Sequence, residues 1–256
     1  MEEQLAGGNT HRGIVKVGAT VRRPTGPWTP AVHALLHHLE THGFEAAPRV
    51  LGVDGEGREI LTYVDGLVVW PDHVGLVATD EALADVARLI RRYHDVVADF
   101  PVADVHGWSD RGSDPTGSDE VLCHNDLAPW NLVHGRDSSW TLIDWDVTAP
   151  GRRAWDLAWA LLSFVPLMHF STLTDSETRH RLAVFRAAYG PSLLSVDVLD
   201  VAVERCGHEA RRIRERGSLG EEPYTTLLAE GHSEIWAAAE QHVARRADVW
   251  ASALVD

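Results

Sequence analysis

Between the apolar runs VLC (121–123) and LV (132–133) the chain sets His124, Asn125, Asp126 and Asn131, and a further apolar run, WTLI (140–143), ends on Asp144. Runs of this length suit short buried strands and are too short for helices. The pattern therefore predicts strands whose ends carry polar groups, the kind of place where side chains from separate segments converge. Any one of these Asp or Asn residues alone would be read as a turn cap, since both are common in turns.

The rest of the chain divides around this segment. Residues 1–24 alternate β-branched residues with glycines and predict a short antiparallel meander. Residues 28–43 predict a helix, with Pro30 near its start, Leu35, Leu36 and Leu39 on one face and Gly43 as its stop. APRVLGVDGEGREILTYVDG reads as two strands around an Asp-Gly turn, ending near Gly66. Leu83, Val86, Leu89, Ile90 and Tyr93 recur at helical spacing over 79–100, and 101–120 reads as a loop. After Pro150 the sequence predicts helices at about 153–170, 176–190, 196–217 and 224–252.

A chain of 256 residues that is 45% apolar can bury a sizeable core. Its net charge of −15, from 38 acids against 23 bases, disfavours a nucleic-acid surface and favours small cations. The longest apolar run, 157–168, is too short for a membrane span. MEEQL lacks the basic and apolar regions of a signal peptide, so the expected place is the cytoplasm, with Cys123 and Cys206 as buried thiols and no membrane partner. Oligomeric state is not legible here.

Two carboxylates and a carboxamide make a hard-oxygen site suited to Mg²⁺, which keeps several waters and takes phosphate oxygens as further ligands. Phosphoryl transfer asks for an acceptor-positioning carboxylate, metal ligands and cations on the phosphates. The kinase pattern supplies the first two as Asp, then Asn five residues on, then a second Asp after another strand. Asp126, Asn131 and Asp144 have that spacing. HNDLAPWN, IDWD and the DLAWAL that begins at Asp156 resemble the corresponding segments of the aminoglycoside phosphotransferase family and its choline-kinase-like relatives.

The resemblance implies an α+β, bilobal protein-kinase-like fold: a small β-rich N-lobe over residues 1–66 that binds nucleotide and includes the hinge, and a larger, mostly helical C-lobe over 67–256 with the catalytic loop and acceptor site. It implies ATP as donor, with GTP as the alternative, and Mg²⁺. Asp126 would orient the acceptor hydroxyl and take its proton, Asn131 and Asp144 would hold the metal, His124 would brace the loop, and Asp156 would support it from a helix N-terminus. Asp146 would be a minor contact.

At the phosphate end, Gly7 and Gly8 suit a glycine-rich loop over the phosphates, with Val15 covering the adenine; an ordinary hairpin turn fits the same residues. The family's cation on the third strand falls in ATVRRP. If Thr20 faces the nucleotide, alternation puts Arg22 inside and Arg23 outside, making Arg22 the phosphate ligand, while Lys16, the only lysine, points to solvent. The helix Glu that pairs with this cation in the family falls at Val32 or His33, so His33 is the candidate partner of Arg22. Thr62, Tyr63 and Val64 resemble the hinge whose backbone reads a purine edge.

For the acceptor the resemblance implies acid-lined helices. Asp200, Glu204, Glu230 and Glu234 are the candidate acids, with Glu240 beside them and Trp159 and Trp236 as walls, although charged helix faces are ordinarily just solvated. The expected partner is a cationic small molecule, an amine-bearing antibiotic or an amino-alcohol metabolite. Two classes fit: a small-molecule kinase, and a nucleotide-binding pseudokinase of the same fold.

Overall fold

A computed structural model of the chain describes residues 2–5 and 13–255. Gly7 and Gly8, expected to lie over the phosphates, fall outside the described residues. Five short strands, β1 (Glu2–Gln4), β2 (Val15–Val17), β3 (Thr20–Pro24), β4 (Val50–Val53) and β5 (Arg58–Thr62), form one antiparallel sheet in the order β1-β2-β3-β5-β4. Between β3 and β4 runs α1 (Thr29–Thr41), with Pro30 in its first turn. Its Leu35, Leu36 and Leu39 are fully buried, each stabilising by about 1.5–3 kcal/mol relative to exposure. It stops where Gly43 takes φ 73°, a left-handed conformation that only glycine adopts freely.

The chain then adds β6 (Leu67–Val68), α2 (Asp80–Val96), β7 (Val121–Cys123), β8 (Leu132–His134), β9 (Trp140–Leu142) and β10 (Ala149–Gly151). β6, β8 and β9 make a three-stranded sheet, and β7 pairs with β10. The strands read from VLC and WTLI are present; β6 and β10, at two and three residues, are too short to leave a pattern. Gly66 lets β6 reach β8, since a Cβ there would sit 2.4 Å from the His134 carbonyl oxygen.

The helices that follow are α3 (Arg153–Phe164), α4 (Asp175–Tyr189), α5 (Val198–Ser218), α6 (Tyr224–Ala229) and α7 (His232–Ala251). The single helix expected over 224–252 is two helices. Gly231 takes φ 80°, which breaks the run and leaves it as the residue preceding α7. α4 opens on a capping box in which Thr174 and Glu177 satisfy each other's backbone N–H groups.

The residues group into two compact units. One takes the chain up to Leu76 together with Arg92–Gly151, and so holds the five-stranded sheet and the strands around the polar cluster. The other takes Val77–Arg91 with the chain from Arg152 on. In this second unit α5 packs on α3, α6 and α7, and the buried Arg205 guanidinium lies 4.7 Å and 4.6 Å from the rings of Trp155 and Trp159. Both cysteines are buried and unbridged, and burial pushes the Cys206 thiol up to about 12. Among the described residues no helix is long and apolar enough to cross a membrane.

In the first unit Tyr93 is fully buried, stands edge-on to Trp145 at 5.1 Å, and donates its hydroxyl to the Leu122 carbonyl of β7 at 2.8 Å. Tyr93→Phe keeps the ring and leaves that buried carbonyl without the hydroxyl donor. A stability loss of about 1–2 kcal/mol is expected, measured by urea unfolding.

Candidate functional site

The segment after β7 turns sharply. Asn125 takes φ 66° and donates its Nδ2 to the Val147 carbonyl at 3.0 Å, while fully buried His124 packs on Trp145 with ring centroids 4.5 Å apart. Asp126 follows, and its carboxylate is held by two side chains. Asn131 Nδ2 donates to its Oδ2 at 2.7 Å and to its backbone carbonyl at 3.0 Å; Trp130 Nε1 lies 3.1 Å and 3.2 Å from the two oxygens. The Asn131 amide nitrogen is thus committed to Asp126, which leaves Oδ1 as its acceptor end.

Asn131 and Asp144 leave the same end of the β8–β9 ladder: Leu132 pairs with Leu142, and Ile143 N–H donates to the Asn131 carbonyl at 3.0 Å. Asp144 itself takes φ 62°. Oxygen donors of this kind fit a hard cation that fills its shell with phosphate and water. Among the described residues no group of three or more His, Cys, Asp and Glu side chains is arranged to hold a metal ion unaided. A metal here would need the Asn131 amide and ligands from a substrate.

The third-strand cation is Arg23, not Arg22. In the β3–β5 register Val21 lies opposite Leu61 and Arg23 opposite Glu59, and Leu61, Arg23 and Glu59 are all buried. Directly opposite residues share a face, so the inner parity is that of Val21 and Arg23. Arg22, on the other face, reaches Asp54 of the β4–β5 turn at 3.4 Å. Asp54 is held down at about 2, chiefly by the Arg58 N–H.

The same parity corrects two further expectations. Lys16 pairs with Val21 and so shares Arg23's face, with Nζ 3.7 Å over the Tyr63 ring, instead of pointing away from it. Val15 pairs with Arg22 and lies on the opposite face, where it cannot cover a base bound on the Arg23 side.

Arg23 bridges three carboxylates. Nε donates to Glu59 Oε1 at 2.6 Å, Nη1 to Asp144 Oδ1 at 3.2 Å and Nη2 to Asp146 Oδ1 at 2.5 Å. Burial works against its charge, but Asp146, Glu59 and Asp144 outweigh that and hold the guanidinium above the ordinary arginine range. His33 does not meet Arg22; its Nε2 lies 2.8 Å from Glu59 Oε2. In the expected hinge, Thr62 N–H donates to the Arg49 carbonyl and Tyr63 N–H to the Ala19 carbonyl, both at 2.9 Å. Two of the donors in the stretch 62–64 are therefore spent inside the protein.

The remaining candidates lie in the second unit. Asp156 is fully buried in the first turn of α3, where the helix N-terminus favours a carboxylate. Trp159 stacks on Trp236 with centroids 5.0 Å apart. Glu204 receives Arg152 Nη2 on both oxygens at 3.0 Å, and Asp200, Glu230 and Glu234 are exposed.

Residues 110–199 match the model of the "Phosphotransferase enzyme family". They are a phosphotransferase-family segment. A protein named trifolitoxin immunity protein, from Rhizobium leguminosarum bv. trifolii, is 36% identical over 150 residues. That alignment takes in 57% of this chain and 56% of the relative, so the chain spans little more than half the length of the curated relative it matches.

Among solved structures, a choline/ethanolamine kinase family protein from Mesorhizobium loti superposes with a TM-score of 0.61 at 14% identity, covering 98% of this chain and 92% of that one. An amicoumacin kinase in complex with AMP-PNP, Ca²⁺ and Ami superposes with a TM-score of 0.62 at 12% identity, covering 92% and 88%. At these identities the shared property is the protein-kinase-like fold, with a β-sheet N-terminal region and a helical C-terminal part. The family segment contains Asp126, Asn131, Asp144 and Asp156; Arg23, Glu59 and His33 lie outside it.

Proposed function

We propose that the chain is a cytoplasmic small-molecule O-phosphotransferase that moves the γ-phosphoryl group of ATP or GTP to a hydroxyl of a cationic acceptor. The observation that carries this reading is the meeting of Asp144 with the β3 cation Arg23, in the same unit where Asn131 holds the carboxylate of Asp126. Residues 1–66 are read as the nucleotide-binding part and 67–256 as the part bearing the loop and acceptor recognition.

Phosphoryl transfer leaves a protein little covalent work, so its residues act by position and charge. Asp126, oriented by Trp130 and Asn131, holds the acceptor hydroxyl and takes its proton. Asn131 Oδ1 and Asp144 would hold Mg²⁺, which when bound neutralises phosphate oxygens. Arg23 Nη1 turns from Asp144 to a phosphate oxygen, and the purine edge is read in the stretch 62–64. His124 supports the catalytic loop.

An antibiotic as acceptor is supported by the relative named for immunity to trifolitoxin and by the fold shared with an amicoumacin kinase. The net charge of −15 supports a cationic one, with Trp159, Asp200, Glu204, Glu230 and Glu234 as its candidate contacts. An amino alcohol is the next choice, from the likeness to a choline/ethanolamine kinase family protein. A nucleotide-binding pseudokinase is the reading from a different class, favoured by the placement of His33 where the family has Glu. Turnover decides between them: Mg-ATP and Mg-GTP are screened against amine-bearing antibiotics and amino alcohols, and no transfer to any acceptor favours the pseudokinase.

Asp144→Ala tests the metal assignment. Its affinity for nucleotide in Mg²⁺ is expected to fall about tenfold or more, the equivalent of about 1.4 kcal/mol. With EDTA present, the variant and the original chain should bind alike. Metal-independent binding by both proteins would contradict the ligand role.

A further inference from the structure

The family's partner for the third-strand cation would come from α1, and α1 offers no acid there: Val32 is buried and apolar, and His33 follows it. Glu59 stands in that place from a different element. We propose that Glu59 of β5, braced by His33 of α1, is the positioning residue of the phosphate clamp, fixing Arg23 through Nε so that one terminal nitrogen is free to exchange Asp144 for a nucleotide phosphate. The inference rests on the reading of Arg23 as a phosphate ligand.

The three contacts of Arg23 are not equivalent. Nε is the nitrogen nearest the side-chain stem, and a bond there orients the guanidinium plane and aims both terminal nitrogens. It is held at 2.6 Å by a carboxylate whose side chain is 2% exposed. Nη2 is held as tightly by Asp146, at 2.5 Å and 6% exposed. Nη1 meets Asp144 at 3.2 Å, and Asp144 is 35% exposed. Solvent weakens this third contact, so it is the one that opens when phosphate and metal arrive.

Glu59 is itself fixed at both oxygens, Oε1 by Arg23 and Oε2 by His33 Nε2 at 2.8 Å. A buried carboxylate satisfied on both sides stays in one orientation, as a residue that holds a ligand-binding group must. The exchange breaks and forms hydrogen bonds only. Nη1 would leave Asp144 Oδ1 for a phosphate oxygen, which would free Asp144 to hold a metal ion, while the bonds to Glu59 and Asp146 persist.

Calorimetric titration of Mg-ATP and Mg-GTP into the full chain, Glu59→Gln, Arg23→Gln and the double variant tests this, with kcat and KM measured alongside. Glu59→Gln should weaken nucleotide binding about tenfold, the scale of a charge-assisted hydrogen bond, with kcat at saturating nucleotide within about threefold of the original. If Glu59 acts only through Arg23, the double variant binds no more weakly than Arg23→Gln; independent roles would make the losses multiply and overturn the proposal. A folded Glu59→Gln with unchanged affinity also overturns it.

Should Glu59→Gln fail to fold, His33→Leu takes its place, with about a threefold loss expected from the unbraced carboxylate and none expected in His33→Gln, which keeps a donor. Equal affinity in both His33 variants and the original chain counts against the brace. Absence of nucleotide binding in the unsubstituted chain would instead remove the phosphotransferase reading itself, and this inference with it.

Discussion

Asp126→Asn is expected to lower kcat by roughly 10²–10⁴-fold, the usual contribution of a positioned general base. The carboxylate accepts N–H groups from Trp130 and Asn131 and can take a proton as well. An amide keeps one acceptor oxygen, turns an NH₂ group toward one of those donors and cannot act as base at neutral pH. Nucleotide affinity should be largely retained, because Arg23 is held by Glu59, Asp144 and Asp146, and an amide oxygen at position 126 can still accept from Asn131 Nδ2 and keep that side chain in place. Steady-state turnover beside calorimetric nucleotide binding separates the two effects. Turnover near that of the original chain would remove Asp126 from the proton-transfer role, and a matching loss of nucleotide affinity would show that the substitution had disturbed the loop.

The second large effect is on stability. Arg23→Met keeps most of the volume and removes the guanidinium that bonds Glu59, Asp144 and Asp146. Glu59 and Asp146 are buried, so the variant must hold two carboxylates out of water without the guanidinium that paired them. Taking away one partner of a buried ionic group typically destabilises by about 3–5 kcal/mol. Glu59 keeps His33, which places the expectation at the lower end of that range. Denaturant unfolding measures it, and a loss below about 1 kcal/mol would mean that these carboxylates reach solvent more readily than their burial indicates.

The loop and its neighbouring strands were legible because their signals are local. VLC, WTLI and the five-residue interval from Asp126 to Asn131 need no knowledge of what packs on them, and the structure puts strands at Val121–Cys123 and Trp140–Leu142 with Asn131 bonded to Asp126. The phosphate end was misread because strand parity is not local. TVRRP offers an arginine to each face, and in REILT both Ile60 and Leu61 are apolar, so neither strand shows which side is inward. Burial of Leu61 settles it, and Glu59 and Arg23 then follow at alternate positions on facing strands. Glu59 did leave one trace, as an acid two residues from a core leucine. Gly231 carried the other missed signal, since a glycine inside a helical pattern also reads as a tolerated one.

Asp144 points its carboxylate from a backbone at φ 62°, a region in which glycine and asparagine rest more easily. Holding a side chain there costs about 1–3 kcal/mol, and its contact to Arg23 is long and partly exposed. Relaxing that position is therefore a ready route to a sturdier polypeptide. Breeding this chain for heat tolerance alone, with no demand that it keep working, would be free to discard the aspartate.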